Sequence, residues 1–279
     1  MENLENWINP AIKAVATAGK AILEVYSGND FHISIKSDHS PLTLADRRAD
    51  EKITAVLNKT PFPVLSEESK HQEYQKRISW DTFWLVDPLD GTKEFISRND
   101  EFTVNIALIR KGEPVLGVIY IPVYDQLYYA SRGSGAWKME GFSLFNAEGK
   151  NRNQLISHST ALPARQQNIM SVMVSRSHLS DETRTYITNL EQKTGPLEQV
   201  TAGSSLKLCR IAEGATGIYP RFGPTMEWDI AAGVAIVKEA GGTVTVADGS
   251  RLEFNKKDLL NPWFIAVSAG FQQNFPDYL

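Results

Sequence analysis

Thr82-Phe83-Trp84-Leu85-Val86 runs straight into Asp87-Pro88-Leu89-Asp90-Gly91-Thr92. The first part, apolar and rich in aromatic and branched side chains, reads as a buried strand. Its abrupt end places carboxylates at a strand's C-terminal edge, where open sheets commonly put binding groups. Pro88 sets its own backbone angle and Gly91 permits a conformation that costs other residues more. Two carboxylates three positions apart on such a rigid turn can converge on one point. An oxygen-only donor set of this kind suits Mg²⁺, which keeps part of its water shell and shares coordination with phosphate. A helix opening at Thr92 would add the Gly91 and Thr92 amides as phosphate donors. The same letters also make a surface turn, since Asp-Pro and Asp-Gly are common turn formers, and the run alone leaves both readings open.

Working outward, Leu4, Trp7, Ile8, Ala11, Val15, Ala18, Ile22 and Val25 recur at helical spacing, with Gly28 as a stop. A second helix is predicted from Leu44 to Lys59, with Pro61 beyond its end. Phe62–Leu65 reads as another short strand, again ending in acids, Ser66-Glu67-Glu68. Downstream, Phe102–Arg110, Pro114–Ile121 and Gln126–Ala130 are β-rich and separated by turns, the pattern of an antiparallel meander. The apolar rhythm breaks in the polar stretch Asn146–Arg165, which suggests an N-terminal α+β unit over 1–155 and a C-terminal α/β unit over 156–279. In the second unit, strands at Ile169–Val174, Gly217–Tyr219, Thr243–Val246 and Phe264–Val267 alternate with helices near Asp181–Glu191, Ser204–Glu213 and Glu227–Ala240. That alternation predicts a layered α/β arrangement.

Composition narrows the function. With 42% hydrophobic and 22% charged residues the chain reads as an ordinary globular protein. Its longest nearly apolar stretch, Pro114–Tyr124, is too short for the ~20 residues of a membrane helix. No secretory signal is legible at the N-terminus. The single cysteine, Cys209, excludes an intrachain disulfide and a cysteine-rich zinc site, and a reducing cytoplasm fits best. A net charge of −4 lacks the basic footprint of a duplex-binding protein, so no nucleic-acid partner is expected. Cys209 itself reads as a small buried thiol. The histidines form no metal-binding pair, which leaves carboxylates to carry the chemistry.

Two more acids stand where apolar elements begin: Asp46 in Ser40-Pro41-Leu42-Thr43-Leu44-Ala45-Asp46, and Asp229 in Trp228-Asp229-Ile230-Ala231-Ala232-Gly233. Each can be a first-turn acid stabilised by the helix dipole, just as Glu67 and Glu68 can be a solvated strand end. Four acid-bearing segments at element boundaries are harder to explain that way together. Taken in order, SPLTLAD, SEES, DPLDGT and WDIAAG resemble the signature of the lithium-sensitive, Mg²⁺-dependent phosphatases that include inositol monophosphatases and bisphosphate nucleotidases. Lys93-Glu94-Phe95, Gly203-Ser204-Ser205-Leu206-Lys207 and Tyr219-Pro220-Arg221-Phe222-Gly223-Pro224 are most similar to the bacterial 3'(2'),5'-bisphosphate nucleotidases of the CysQ type.

The resemblance implies an αβαβα sandwich of the inositol monophosphatase and sugar phosphatase type. It implies Glu67, Asp87, Asp90, Asp229 and the main-chain carbonyl of Leu89 as ligands of two Mg²⁺ ions, with Glu67 also holding a weaker third. Asp46 and Thr92 would activate the attacking water, and Gly91 and Thr92 would hold the scissile phosphate. His178, Ser204, Lys207 and Arg221 would contact the nucleotide. The implied reaction is in-line attack by water on the 3'-phosphate of adenosine 3',5'-bisphosphate, giving AMP and phosphate; the sulfated analogue would react likewise, a link to sulfur assimilation. An inositol or sugar phosphatase is the alternative within enzymes, and a non-catalytic phosphonucleotide sensor the alternative outside them. A monomer or homodimer in the cytoplasm is expected, with no anchor legible for attachment to the membrane's cytoplasmic face.

Overall fold

The computed structural model describes residues 4–28, 31–36, 41–70, 72–145, 152–164, 169–175 and 180–276. Helix α1 (Glu5–Tyr26) is followed by the small antiparallel pair β1 (Ser34–Ile35) and β2 (Pro41–Leu42), then α2 (Leu44–Leu57). Strand β3 (Val64–Ser66) leads through the one-turn α3 (Tyr74–Arg77) into β4 (Thr82–Asp90) and the short α4 (Thr92–Ile96). The meander continues as β5 (Thr103–Arg110), β6 (Glu113–Ile121), β7 (Gln126–Ser131) and β8 (Ala136–Glu140), then α5 (Arg152–Ser157) and β9 (Thr160–Leu162). Strands β3 to β9 form one seven-stranded sheet in chain order, antiparallel except for the β3–β4 pair.

The second half contributes β10 (Ser171–Ser175), α6 (Asp181–Thr194), β11 (Glu198–Ala202), α7 (Leu206–Glu213), β12 (Ile218–Arg221), α8 (Glu227–Glu239), β13 (Thr243–Val246), β14 (Phe264–Val267) and α9 (Ala269–Asn274). Its five strands are ordered β11-β10-β12-β14-β13. The change of sheet falls between Leu162 and Ser171. Thr160–Leu162, placed by composition in the second half, therefore belong to the first sheet; two of these three side chains are exposed at its edge, which hides the strand in the sequence.

Alternation along the central strands explains the layering. Trp84, Val86, Val104, Ile106, Leu108, Val118 and Tyr120 pack against α1 and α2 on one face of the larger sheet. Phe83, Leu85, Ala107, Ile109, Ile119 and Ile121 pack on the other face against α7 and α8. The inner face of the smaller sheet, with Met173, Tyr219, Val244, Phe264 and Ala266, closes over the same helices. Val172, Val174, Ile218 and Val267 meet α6 and α9 outside it. The expected αβαβα sandwich is what forms, and strands buried on both faces read as continuous apolar runs. Helix α8 is the shared middle layer, apolar all round as a fully enclosed helix must be. Among the described residues no helix is long and apolar enough to cross a membrane.

Strand β4 departs from the sequence expectation. It does not end at Val86 but runs to Asp90, with Asp87 opposite Asn105 and Asp90 opposite Thr103. Two residues, Pro88 and Leu89, therefore face the single Val104, which makes a one-residue bulge where proline has no N–H to donate. In a regular strand positions 87 and 90 would point to opposite faces. The extra residue restores them to the same side.

Helix α8 approaches β6 so closely that a Cβ on Gly117 would stand 2.3 Å from the Ala232 carbonyl oxygen. Gly117→Ala must push α8 outward, at a cost of about 1–3 kcal/mol and a Tm lowered by several degrees. Thermal unfolding of the variant in Mg²⁺ checks this, and an unchanged Tm would contradict the close approach.

Candidate active site

Thr43 caps α2, and Asp46 at the third helical position accepts the Thr43 amide at 2.7 Å and its hydroxyl on the same oxygen. The other Asp46 oxygen accepts the Thr92 hydroxyl at 3.1 Å. Asp46 is therefore a capping acid that is also joined to Thr92 from a distant segment. Burial raises its carboxyl above the ordinary value, opposed by the hydrogen bonds from Thr43 and Thr92. Thr92 opens α4 after Gly91, whose φ of +92° is left-handed; a side chain there would also meet the Glu101 carbonyl.

Asp229 repeats the device at the start of α8, where its carboxylate accepts the Met226 amide at 2.8 Å. The entry to that helix is fixed from outside. The buried Glu227 accepts the Asn255 and Lys256 amides and the Lys256 ammonium, while Asn261 donates to the Met226 carbonyl. This is the structural use of the segment after Leu252, which the sequence left without a role.

Glu67, at the end of β3, Asp87 on β4 and Asp229 on α8 each bring a carboxylate oxygen within 4.8 Å of the other two. Asp87 is fully buried, and burial pushes its carboxyl well up; the charges of Glu67, Asp90 and Asp229 add to this. Asp229 is raised well above the ordinary range by burial, then by Asp90 and Glu67, and Glu67 is raised by burial against the pull of Lys36. Three all-oxygen donors with so little to neutralise them fit a hard divalent cation. Asp90 stands beside this trio, its Oδ2 accepting the hydroxyls of Ser204 at 2.7 Å and Ser205 at 3.0 Å and the Asn105 amide at 3.4 Å.

A cavity of about 460 Å³ opens over these groups, lined by Glu67, Asp90, Gly91, Thr92 and Asp229 together with Ser204, Lys207 and Arg221. A larger groove of about 1100 Å³ between α1, α2 and Phe142–Phe145 lies away from the carboxylates and is walled mainly by apolar groups. Lys207 donates to the Ser204 carbonyl at 2.7 Å and the Ala202 carbonyl at 3.3 Å. Burial lowers its ammonium to about 8, although Asp90, Glu94 and Glu101 pull it back up. Ser204, expected on the nucleotide, directs its hydroxyl to Asp90. His178 lies outside the described residues. Cys209 is buried, and burial pushes its thiol up, as befits an inert core residue.

Sequence reasoning missed Lys36 and the supports of Asp90. Lys36 donates to Glu67 at 2.7 Å and also to Glu68. Burial would lower the Lys36 ammonium, but the charge and hydrogen bond of Glu67 outweigh it and raise it. Glu68 is raised by burial to about 7. No local pattern announces Lys36. Asn105 did carry a signal: it is an amide in the middle of the apolar strand Val104-Asn105-Ile106, and buried polar groups are there to bond something.

An αβαβα sandwich carrying an all-oxygen carboxylate cluster beside a threonine–aspartate pair defines a class of metal-dependent phosphatases. The chain belongs to the inositol monophosphatase family, whose model matches residues 3–274. It is 45% identical over 251 residues to the 3'(2'),5'-bisphosphate nucleotidase CysQ of Salmonella typhimurium, covering 88% of this chain and 94% of that one. The crystal structure of CysQ from Bacteroides thetaiotaomicron superposes with a TM-score of 0.88 at 50% identity, over 96% of this chain and 98% of that one. The extragenic suppressor protein suhB of Bartonella henselae is more distant, with a TM-score of 0.74 and 27% identity over 98% of both chains.

Raised carboxyl values give this site a pH signature. Asp87, Asp229 and Glu67 hold protons in the folded chain at pH values where the unfolded chain has lost them, so stability falls as pH rises through that window. In a chelator, the Tm should therefore drop as pH rises over an interval that begins at the unfolded carboxylate value of about 4. Added Mg²⁺ should flatten the drop. A chelated Tm that climbs across the same interval contradicts the assignment.

Proposed function

We propose that this protein is a Mg²⁺-dependent phosphatase that removes the 3'-phosphate of adenosine 3',5'-bisphosphate, releasing AMP and inorganic phosphate, and that converts 3'-phosphoadenosine 5'-phosphosulfate to adenosine 5'-phosphosulfate in the same way. One observation carries this reading: a single cavity is lined by Glu67 and Asp229 of the carboxylate cluster, by Thr92, which is bonded to Asp46, and by the cations Lys207 and Arg221. Nucleotidase activity in relatives named for it, at up to 45% identity over most of the chain, supports the substrate class.

Glu67, Asp87, Asp90, Asp229 and the Leu89 carbonyl would hold two Mg²⁺ ions, with a third at Glu67. Bound there, the ions would lower the pKa of water and neutralise the charge on the departing ribose oxygen. The chain's own groups do the rest. The Thr92 hydroxyl, fixed by Asp46, orients the attacking water, and Asp46 takes its proton. The Gly91 and Thr92 amides receive the phosphate oxygens. Lys207 and Arg221, with His178, hold the distal part of the nucleotide, while the Ser204 hydroxyl stays on Asp90. As water oxygen joins phosphorus, the bond to the 3'-oxygen breaks and that oxygen regains a proton from solvent. The protein works as a monomer or homodimer in the cytoplasm.

A substrate panel tests the reading. Adenosine 3',5'-bisphosphate should be hydrolysed far faster than inositol 1-phosphate, with turnover abolished by chelation and reduced by Li⁺. A wide preference for inositol phosphate would replace the nucleotidase reading with that of an inositol phosphatase, and tight nucleotide binding without turnover would leave a sensor. Separately, Asp46→Asn should cut kcat by about 10²–10⁴-fold while the Mg²⁺ concentration giving half-saturation moves only a few-fold. Near-native turnover in that variant removes Asp46 as the base.

A further inference from the structure

Lys93-Glu94-Phe95 is the one motif of the sequence that the chemistry above leaves unused. Phe95 is core, fully buried against Tyr26, Phe31 and Phe102. Glu94 is different: it is only half-buried and lines the cavity. Its carboxylate folds back over the start of α4, so that Oε2 lies 3.4 Å from where a Cβ on Gly91 would stand. Its stem fills the space beside Gly203, where a Cβ would come within 2.9 Å of Glu94 Cγ. Gly203 therefore leaves room for Glu94. Among the described residues, no side chain or amide donates to this carboxylate. The neighbouring Glu101, by contrast, accepts the Gly203 amide at 2.8 Å.

A carboxylate is an acceptor only, and one placed within an atom or two of a phosphate-receiving turn repels a second anion. What it can take is a neutral O–H donor held next to the phosphate. In a ribose 3'-phosphate the group within that reach is the vicinal 2'-hydroxyl. We propose that Glu94 is a specificity-determining residue that accepts a hydrogen bond from the hydroxyl vicinal to the scissile phosphate, so that the site reads a phosphate and its neighbouring hydroxyl together. This rests on the nucleotidase reading. It also accounts for an acid in a cavity otherwise furnished for anions by Lys207 and Arg221.

The test compares adenosine 3',5'-bisphosphate with its 2'-deoxy analogue, using the full chain in Mg²⁺. Hydrogen bonds to charged groups lead to an expected wild-type preference for the ribonucleotide of about 10- to 100-fold in kcat/KM. In Glu94→Ala that ratio should fall below about 3-fold, the loss falling on the ribonucleotide and mainly on its KM. Glu94→Gln, which keeps one acceptor, should fall between. Gly203→Ala, which displaces Glu94 without removing it, should also lower the ratio. Equal turnover of both nucleotides by the wild type, or an undiminished ratio in Glu94→Ala, overturns the assignment and leaves the nucleotidase reading standing. If the wild type hydrolyses neither nucleotide, the nucleotidase reading falls and this inference with it.

Discussion

Like charges brought together out of water are the constraint on which this molecule is built. Glu67, Asp87 and Asp229 come from a strand end, a strand interior and a helix start, and nothing in a metal-free interior rewards their convergence. The fold has to hold them there, and it does so with packing that is unaffected by their charge. Two apolar faces of one sheet fix β4, and α8 is clamped between two sheets. Lys36 and the hydroxyl and amide donors around Asp90 meet part of the charge. A divalent cation held by the three carboxylates would meet the rest.

Two local devices turn that scaffold into a site. A bulge at Pro88 and Leu89 puts Asp87 and Asp90 on one side of a strand that would otherwise separate them. The third position of a helix, used twice, aims Asp46 and Asp229 at their targets while the same carboxylates satisfy the amides of Thr43 and Met226. The capping bond and the aim of the carboxylate into the site are one interaction here. That is why a purely local reading of either acid stops at the cap.

Much of the architecture was legible because long apolar periods survive context. The helix at Glu5–Tyr26, the meander and α8 all fall where their patterns place them. The misses have separate physical causes. β11, Glu198–Ala202, and β9 are edge strands with mostly exposed side chains, so they carry little apolar signal. β4 was cut short at Val86 because Asp and Pro are poor strand formers, and only pairing with Asn105 and Thr103 keeps them in the sheet. At the site, the acids stood out through their positions at element boundaries. Lys36 did not, since its partners lie 31 and 32 residues away along the chain.

The long apolar helices and strands, the carboxylates at element boundaries and the tight turn at Gly91 and Thr92 are legible in the sequence, because each depends on residues near one another along the chain. Tertiary structure decided the rest: that Ser204 serves Asp90, that Lys36 sits on Glu67, that Glu227 ties the segment after Leu252 to the mouth of α8, and that Glu94 occupies the place Gly203 leaves open. These are meetings between segments separated by tens to more than a hundred residues. Only the packing of both sheets around one buried helix brings such segments within the few ångströms at which hydrogen bonds and carboxylate repulsion act.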